Sequence, residues 1–225
     1  MKILILGRGK SGTTALLFKM AGGLPNCQAF SGGQPGKFAG DYENVIYKHT
    51  YSERKGKTFD AYNQHLAGEN YDRMIWMARD PRDTAVSRML FRWHKGHWGA
   101  RKQYRKHLEL VQKKEQDPGS VPFHVLLRYI GHDGWPMTME EVVESERVRN
   151  QRMGDFVASL TKEWFIFKYE DMIDKNYGAL QEYLGFKIQD EAEIPQATGK
   201  AKVARKKAYG DWRHWFTEED IELFK

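Results

Sequence analysis

Residues 1–17, MKILILGRGKSGTTALL, limit what the chain can fold into more than any other stretch. Positions 3–6 form an apolar run that stops at a glycine, the pattern of a strand buried on both faces and entering a turn. Gly7, Gly9 and Gly12 surround Lys10 and Ser11, so the backbone can turn tightly and aim several amide N–H groups at one point. Thr13 and Thr14 then lead into Ala15, Leu16 and Leu17 as the start of a helix. A strand, a glycine-rich turn carrying one lysine, and a helix N-terminus together make an anion cradle, because open amides and the positive end of the helix dipole meet there. A plain strand-to-helix turn is the alternative, and the lysine with its hydroxyl neighbours Ser11, Thr13 and Thr14 weighs against it.

A strand of this kind needs cover on both sides, and 225 residues suffice for a sheet so covered. The expected fold is α/β, a P-loop-type three-layer arrangement with a central, mainly parallel sheet flanked by helices, formed as one domain over residues 1–225. Hydrophobic residues at 40% and charged residues at 29% fit a globular chain and not a disordered one. The net charge of +6 favours anionic partners: nucleotides, sulfated or phosphorylated substrates, nucleic acid or a membrane surface. Cys27 is the only cysteine, which excludes an internal disulfide and a cysteine-based zinc site and fits a reducing compartment. The run at 3–6 is too short for a secretory signal, and no later run approaches the roughly 18 apolar residues of a membrane span, so a soluble, cytoplasmic protein is expected.

Further strands are predicted at positions 44–48, 74–78 and 164–168, with His49, Thr50 and Tyr51 just past the end of the first of these. Positions 21–40, rich in Gly, Pro, Asn and Gln, read as an irregular connection, and 132–136 as a turn. Helices are expected at 59–67, from 81 to about 93, and at 121–130, 139–160 and 176–184, the last closed by Gly185. Asp80 can cap the second of these, with Pro81 as its first residue and Asp83 completing a variant capping box. That arrangement leaves Arg79 at a strand tip, suited to gripping an anion with its planar fork, and Ser87 two turns into the helix. Positions 91–120 are dense in Lys, Arg, His and aromatics, which suits a solvated helix followed by a polar loop at Asp117, Pro118 and Gly119. An acceptor-binding lid is the sharper reading of the same stretch; a nucleic-acid surface is weakly indicated because no recognised motif accompanies it.

Two phosphate-binding patterns compete for the first turn. Gly9, Lys10 and Ser11 supply the end of the Walker A pattern, but its first glycine would fall on Leu4 inside the strand. Lys10-Ser11-Gly12-Thr13-Thr14 instead resembles, letter for letter, the 5′-phosphosulfate loop of sulfotransferases that use 3′-phosphoadenosine 5′-phosphosulfate (PAPS). The stretch from Arg79 to Ser87, RDPRDTAVS, looks like the same family's 3′-phosphate motif, an arginine followed eight residues later by a serine. Tyr169-Glu170-Asp171 after the last strand is similar to a segment lining the family's nucleotide pocket, which makes Tyr169 a candidate adenine contact or, equally, a tyrosine anchoring the sheet end. Arg205-Lys206, then Gly210-Asp211-Trp212-Arg213 and Phe216-Thr217, resemble the family's closing basic segment. Lys207 stands there in place of a glycine whose backbone makes the third contact, and Ala15 replaces a tryptophan found in cytosolic members. These motifs follow the family order over positions 7–217.

The resemblance implies sulfuryl transfer from PAPS to a hydroxyl or amine of a small molecule or saccharide, with PAP as product and no obligatory metal. Lys10 and the neighbouring amides would stabilise the leaving oxygen, Ser11, Gly12, Thr13 and Thr14 would hold the 5′-phosphate, and Arg79, Ser87, Arg205, Lys206 and Lys207 would serve the 3′-phosphate. A general base is also needed. His49 lies one position away from the histidine of the cytosolic branch, and Glu43 is the rival, because a glutamate serves as base in the Golgi-type branch, which the sequence from Gly12 to Leu16 also resembles. A kinase of a nucleotide or small molecule and a basic nucleic-acid binder remain as rival readings.

Overall fold

The apolar run at 3–6 lies inside strand β1 (Lys2–Arg8), and its four side chains are fully buried. The computed structural model describes residues 1–31, 42–51, 70–91, 101–128, 138–159, 163–193 and 208–225. Around β1 lie β2 (Cys27–Ser31), β3 (Asn44–Tyr51), β4 (Arg73–Ala78) and β5 (Phe165–Lys168), all paired in parallel in the order β2-β3-β1-β4-β5. The helices are α1 (Thr13–Gly22), α2 (Pro81–Phe91), α3 (Arg101–Gln116), α4 (Phe123–Arg128), α5 (Met139–Ser159), α6 (Tyr169–Ile173), α7 (Gly178–Leu184) and α8 (Glu218–Glu222), with a 3₁₀ turn at Asp211–His214. Among the described residues no helix is long and apolar enough to cross a membrane.

The chain, read from its length as one domain, divides into two compact units, Met1–Arg79 with Met153–Pro195 and Asp80–Arg152 with Gln196–Lys225. The first holds the sheet. Side chains alternate along a strand, so Ile3 and Ile5 face one way and pack with Leu16, Leu17 and Met20 of α1 and with Leu180 and Leu184 of α7. Leu4 and Leu6 face the other way, where Tyr47, Tyr71 and Met74 meet Met153 and Phe156 from the end of α5. Helices therefore cover both faces of a parallel sheet, the three-layer α/β arrangement that the doubly buried strand called for. At the lower end of α1, the Lys19 ammonium lies 2.5 Å from the Asp190 carboxylate, which also accepts from the Tyr177 hydroxyl at 2.6 Å and pairs with Lys175 at 3.1 Å.

The second unit has its own core, in which Val86 and Met89 of α2, Val111 of α3, Phe123 and Leu126 of α4 and Trp212 and Phe216 of the tail pack together. Phe123 and Phe216 stand 4.8 Å apart between ring centroids. A capping box closes the start of α8, with Thr217 Oγ1 accepting from the Asp220 amide and Asp220 accepting from the Thr217 amide. α3 is largely exposed, as expected of a solvated helix, but its inward stripe includes His107 at 3% exposure and Lys114 at 0% beside Val111. Lys114 Nζ donates to the carbonyls of Pro118 (2.6 Å) and Val121, so the polar loop after the helix supplies the oxygens that a buried ammonium needs. Burial pushes its pKa down, and the carboxylates of Asp220 and Asp117 oppose that.

Two strand predictions change. Positions 21–40 were expected to be irregular throughout, yet 27–31 form β2, an edge strand of half-buried residues that carries no Val, Ile or Thr to announce it. β3 runs past Lys48 to Tyr51, because β1 itself continues to Arg8 and pairs Leu6 with His49, Gly7 with Thr50 and Arg8 with Tyr51. His49 and Thr50 are thus strand residues. Gly185 follows α7, as expected of a helix C-terminus. The helix predicted at 59–67 and the turn at 132–136 lie outside the described residues.

Candidate functional site

The turn after β1 folds back over its own strand because Gly7 has no side chain. A Cβ there would stand 2.5 Å from Thr13 Cγ2, 2.6 Å from Ser11 Oγ and 3.0 Å from the Met77 carbonyl oxygen. Both the amide and the hydroxyl of Ser11 donate to the Arg8 carbonyl, at 3.1 and 2.8 Å. Lys10 (φ 76°) and Gly12 (φ 92°) adopt left-handed backbone on either side of it, a conformation that costs a non-glycine residue about 1–2 kcal/mol. Gly12 is the N-cap of α1, its carbonyl accepting from Ala15 and Leu16 at 2.9 and 3.1 Å. The amides of Thr13 and Thr14 in the first turn have no intrahelical acceptor. No side chain caps α1 and no acidic residue stands in its first turn, so the helix does not neutralise its own positive end. A cation is added instead, Lys48 Nζ donating to Thr14 Oγ1 at 3.1 Å.

Arg79 comes to this turn from β4, next to β1 in the sheet. After β1 the strand order proceeds through α1 towards β2 and β3, whereas after β4 it proceeds to β5 on the opposite side. Ligands of open parallel sheets bind outside the carboxyl ends of two such strands. Arg79 Nη1 donates to the Lys10 carbonyl at 3.0 Å. The guanidinium carbon sits over the Tyr169 ring, 4.0 Å from its centroid, a cation–π contact. Nε is buried and has no hydrogen-bond partner among the described residues. Tyr169 in turn lies against the turn: a Cβ on Gly12 would be 2.5 Å from its Cδ2. Lys10, Gly12, Arg79 and Tyr169, scattered along the sequence, thus meet at one edge of the sheet.

The other sequence candidates are distributed as follows. Ser11 is 2% and Thr13 5% exposed, and both side chains are packed into the turn; the Ser11 amide is taken by the Arg8 carbonyl, so of the two it is the Thr13 amide, in the first turn of α1, that can be offered to an anion. Thr14 is half-buried beside Lys48. Lys48 was not singled out from the sequence; its signal was a strand position in register with Ile5, on the face that packs against α1. His49 is 7% exposed, near the carboxyl end of β3, and alternation places it on the Tyr47 face, opposite Lys48. Glu43, the rival base, stands at the other end of β3. It precedes β3, where its carbonyl accepts from the amino group of Met1 at 2.7 Å, and six residues of extended chain separate it from His49, about 20 Å.

In the second unit, Asp80 caps α2, Oδ1 accepting from the Arg82 amide at 2.8 Å while both carboxylate oxygens hold the Arg82 side chain. Burial pushes the Asp80 carboxyl up, and the hydrogen bonds from Arg82 reverse that and leave it below its ordinary value. Asp83 does not form the capping box expected of it. Its carboxylate, 2% exposed, accepts from the amides of Gly210 at 2.7 Å and Trp212 at 3.1 Å, which explains why Gly-Asp-Trp stands in the tail. The Arg82 and Arg213 guanidiniums lie 3.8 and 4.4 Å from the Trp212 ring centroid. Ser87 is half-buried in α2. Arg205, Lys206 and Lys207 lie outside the described residues. Among the described residues, no three His, Cys, Asp or Glu side chains are grouped so as to hold a metal ion.

Compared with known proteins, the chain matches no protein-family model and no curated protein.

Proposed function

We propose that the chain is a sulfotransferase, moving a sulfuryl group from PAPS to a hydroxyl or amine acceptor. The observation that carries this reading is the Arg79 side chain seated on the Lys10 turn, at the carboxyl ends of two adjacent strands. A helix N-terminus with no side-chain cap and no acidic residue in its first turn, where Lys48 Nζ donates to Thr14 Oγ1, supports an anion there, because open amides and the positive end of the helix dipole favour negative charge. The buried Nε of Arg79, without a hydrogen-bond partner among the described residues, supports a second anionic group alongside, where a planar fork can hold a phosphate. One nucleotide carrying a 5′-phosphosulfate and a 3′-phosphate meets both requirements, and a P-loop character of the turn belongs to the same reading.

The donor supplies sulfur already activated by a phosphate leaving group. In the transfer, the acceptor oxygen or nitrogen bonds to sulfur as the bond from sulfur to the bridging oxygen breaks, and that electron pair stays on the 5′-phosphate of PAP. The amides of the Lys10 turn and the lysine itself stabilise the charge growing on that oxygen. In this reading His49 receives the acceptor's proton, supported by its place near the carboxyl end of β3, paired with Leu6 just before the turn. The sequence resemblance adds Ser87, Arg205 and Lys206 as further partners of the 3′-phosphate, which single alanine substitutions test.

The direct assay incubates the protein with PAPS labelled at sulfur and a panel of hydroxyl and amine acceptors from saccharides to phenols, beside binding titrations of PAP and of Mg-ATP. Label transfer and tighter binding of PAP are expected. Preference for Mg-ATP with phosphoryl transfer would make the protein a kinase. Salt-sensitive RNA or DNA binding that survives Lys10→Ala, without label transfer, would make it a nucleic-acid binder.

A further inference from the structure

The contacts of Arg79 point two ways, towards an anion and towards the backbone of the lysine next to it. Resting on the sulfotransferase reading, we propose that Arg79 and Tyr169 are positioning residues for Lys10, a clasp that fixes the left-handed backbone from which the lysine side chain projects. An L-residue in that conformation persists only where its surroundings impose it, and Lys10 has φ 76°. Its carbonyl is held by Arg79 Nη1 at 3.0 Å. The guanidinium cannot swing away easily, because its carbon lies over the Tyr169 ring, 4.0 Å from the centroid. The ring cannot retreat towards the turn, because it already fills the space where Gly12 would carry a Cβ, 2.5 Å from Cδ2. The contacts run from Gly12 through Tyr169 and Arg79 back to the carbonyl of Lys10. The turn is thereby braced by side chains that arrive from the ends of two other strands, β4 and β5.

A guanidinium that only gripped the 3′-phosphate would affect donor affinity and nothing else. A clasp sets where Lys10 stands, so turnover depends on Arg79 even when the donor has no 3′-phosphate. It also gives Tyr169 a role distinct from the adenine contact: its ring serves as the plate under Arg79, which phenylalanine can supply as well.

Two measurements test this. In the ligand-free protein, hydrogen exchange at the amide of Ser11, which bonds the Arg8 carbonyl inside the turn, is compared in wild type, Arg79→Ala, Tyr169→Leu and Tyr169→Phe. At least about tenfold faster exchange is expected in the first two variants and wild-type exchange in Tyr169→Phe; wild-type exchange in Arg79→Ala overturns the clasp. With adenosine 5′-phosphosulfate as donor, kcat is expected to fall at least about tenfold in Arg79→Ala, and an unchanged kcat overturns the positioning role. Should Tyr169→Leu fail to fold, Arg79→Lys keeps the charge and loses the planar fork: faster exchange supports the clasp and wild-type exchange opposes it. If the wild type transfers sulfate from neither donor, the functional reading fails, and the exchange result still decides the clasp.

Discussion

At Lys10 the backbone accepts a conformation that side chains resist, and the surrounding residues are arranged to hold it there. Lys10→Ala is expected to lower kcat for sulfuryl transfer about 100- to 1000-fold, the usual cost of one contact to a developing oxyanion; turnover equal to wild type removes the residue from the chemistry. His49→Asn is expected to lower kcat about 100- to 10,000-fold, the range for a lost general base, while Glu43→Gln keeps wild-type rates. The reverse pattern returns the base to Glu43. The turn itself was legible because its pattern is local: strand, glycines, lysine and hydroxyls are consecutive. The partner of Asp83 was not, because the Gly210 amide lies 127 positions downstream and a spacing of three residues suggested a cap. Nor did the sequence tell what Tyr169 stacks on, since both Gly12 and Arg79 reach it only through the sheet.

Among the elements, α1 is fastened at both ends by charge, and the two ends differ in purpose. Its N-terminus receives Lys48 Nζ on Thr14 Oγ1 at the positive end of the helix dipole, the arrangement on which the proposed anion site rests. Its last turn carries Lys19, which completes an ordinary favourable pair with Asp190. Burial raises the Asp190 carboxyl, but hydrogen bonds from Lys19, Tyr177 and Lys175 depress it well below the usual carboxylate range. A depressed carboxylate stabilises the fold above its unfolded pKa, about 3.9, and loses that contribution as pH falls through the folded value. Asp190→Asn is therefore expected to cost about 1–3 kcal/mol at pH 7, and the difference from wild type should shrink as the pH is lowered below about 4. Urea titrations at neutral and acid pH measure both; equal stability of the two proteins at neutral pH contradicts the pairing. Strand β2 shows where element prediction ran out: Cys-Gln-Ala-Phe-Ser at a sheet edge pairs through its backbone and needs few of the side chains by which strands are recognised.

On the scale of the whole molecule, the parallel order β2-β3-β1-β4-β5 was foreseeable in kind, because a doubly buried first strand demands neighbours and cover on both faces. The division into two compact units was not, because the chain crosses between them within continuous segments, at Arg79 and inside α5, with no change of composition to mark the boundary. A ligand that binds only the folded state stabilises it in proportion to the logarithm of its concentration over Kd. PAP at 100 times its Kd is thus expected to add about 2.7 kcal/mol, seen as a rise in Tm that Lys10→Ala and Arg79→Ala reduce. The most direct measurement is calorimetric titration of PAP and of adenosine 5′-monophosphate, which differ by the 3′-phosphate alone, into wild type and Arg79→Ala. PAP should bind the wild type at least about tenfold more tightly, a gap of about 1.4 kcal/mol, and Arg79→Ala should erase that preference. Equal affinity of the two nucleotides for wild type, or a preference that survives the substitution, would contradict a grip on two phosphates by the ends of adjacent strands.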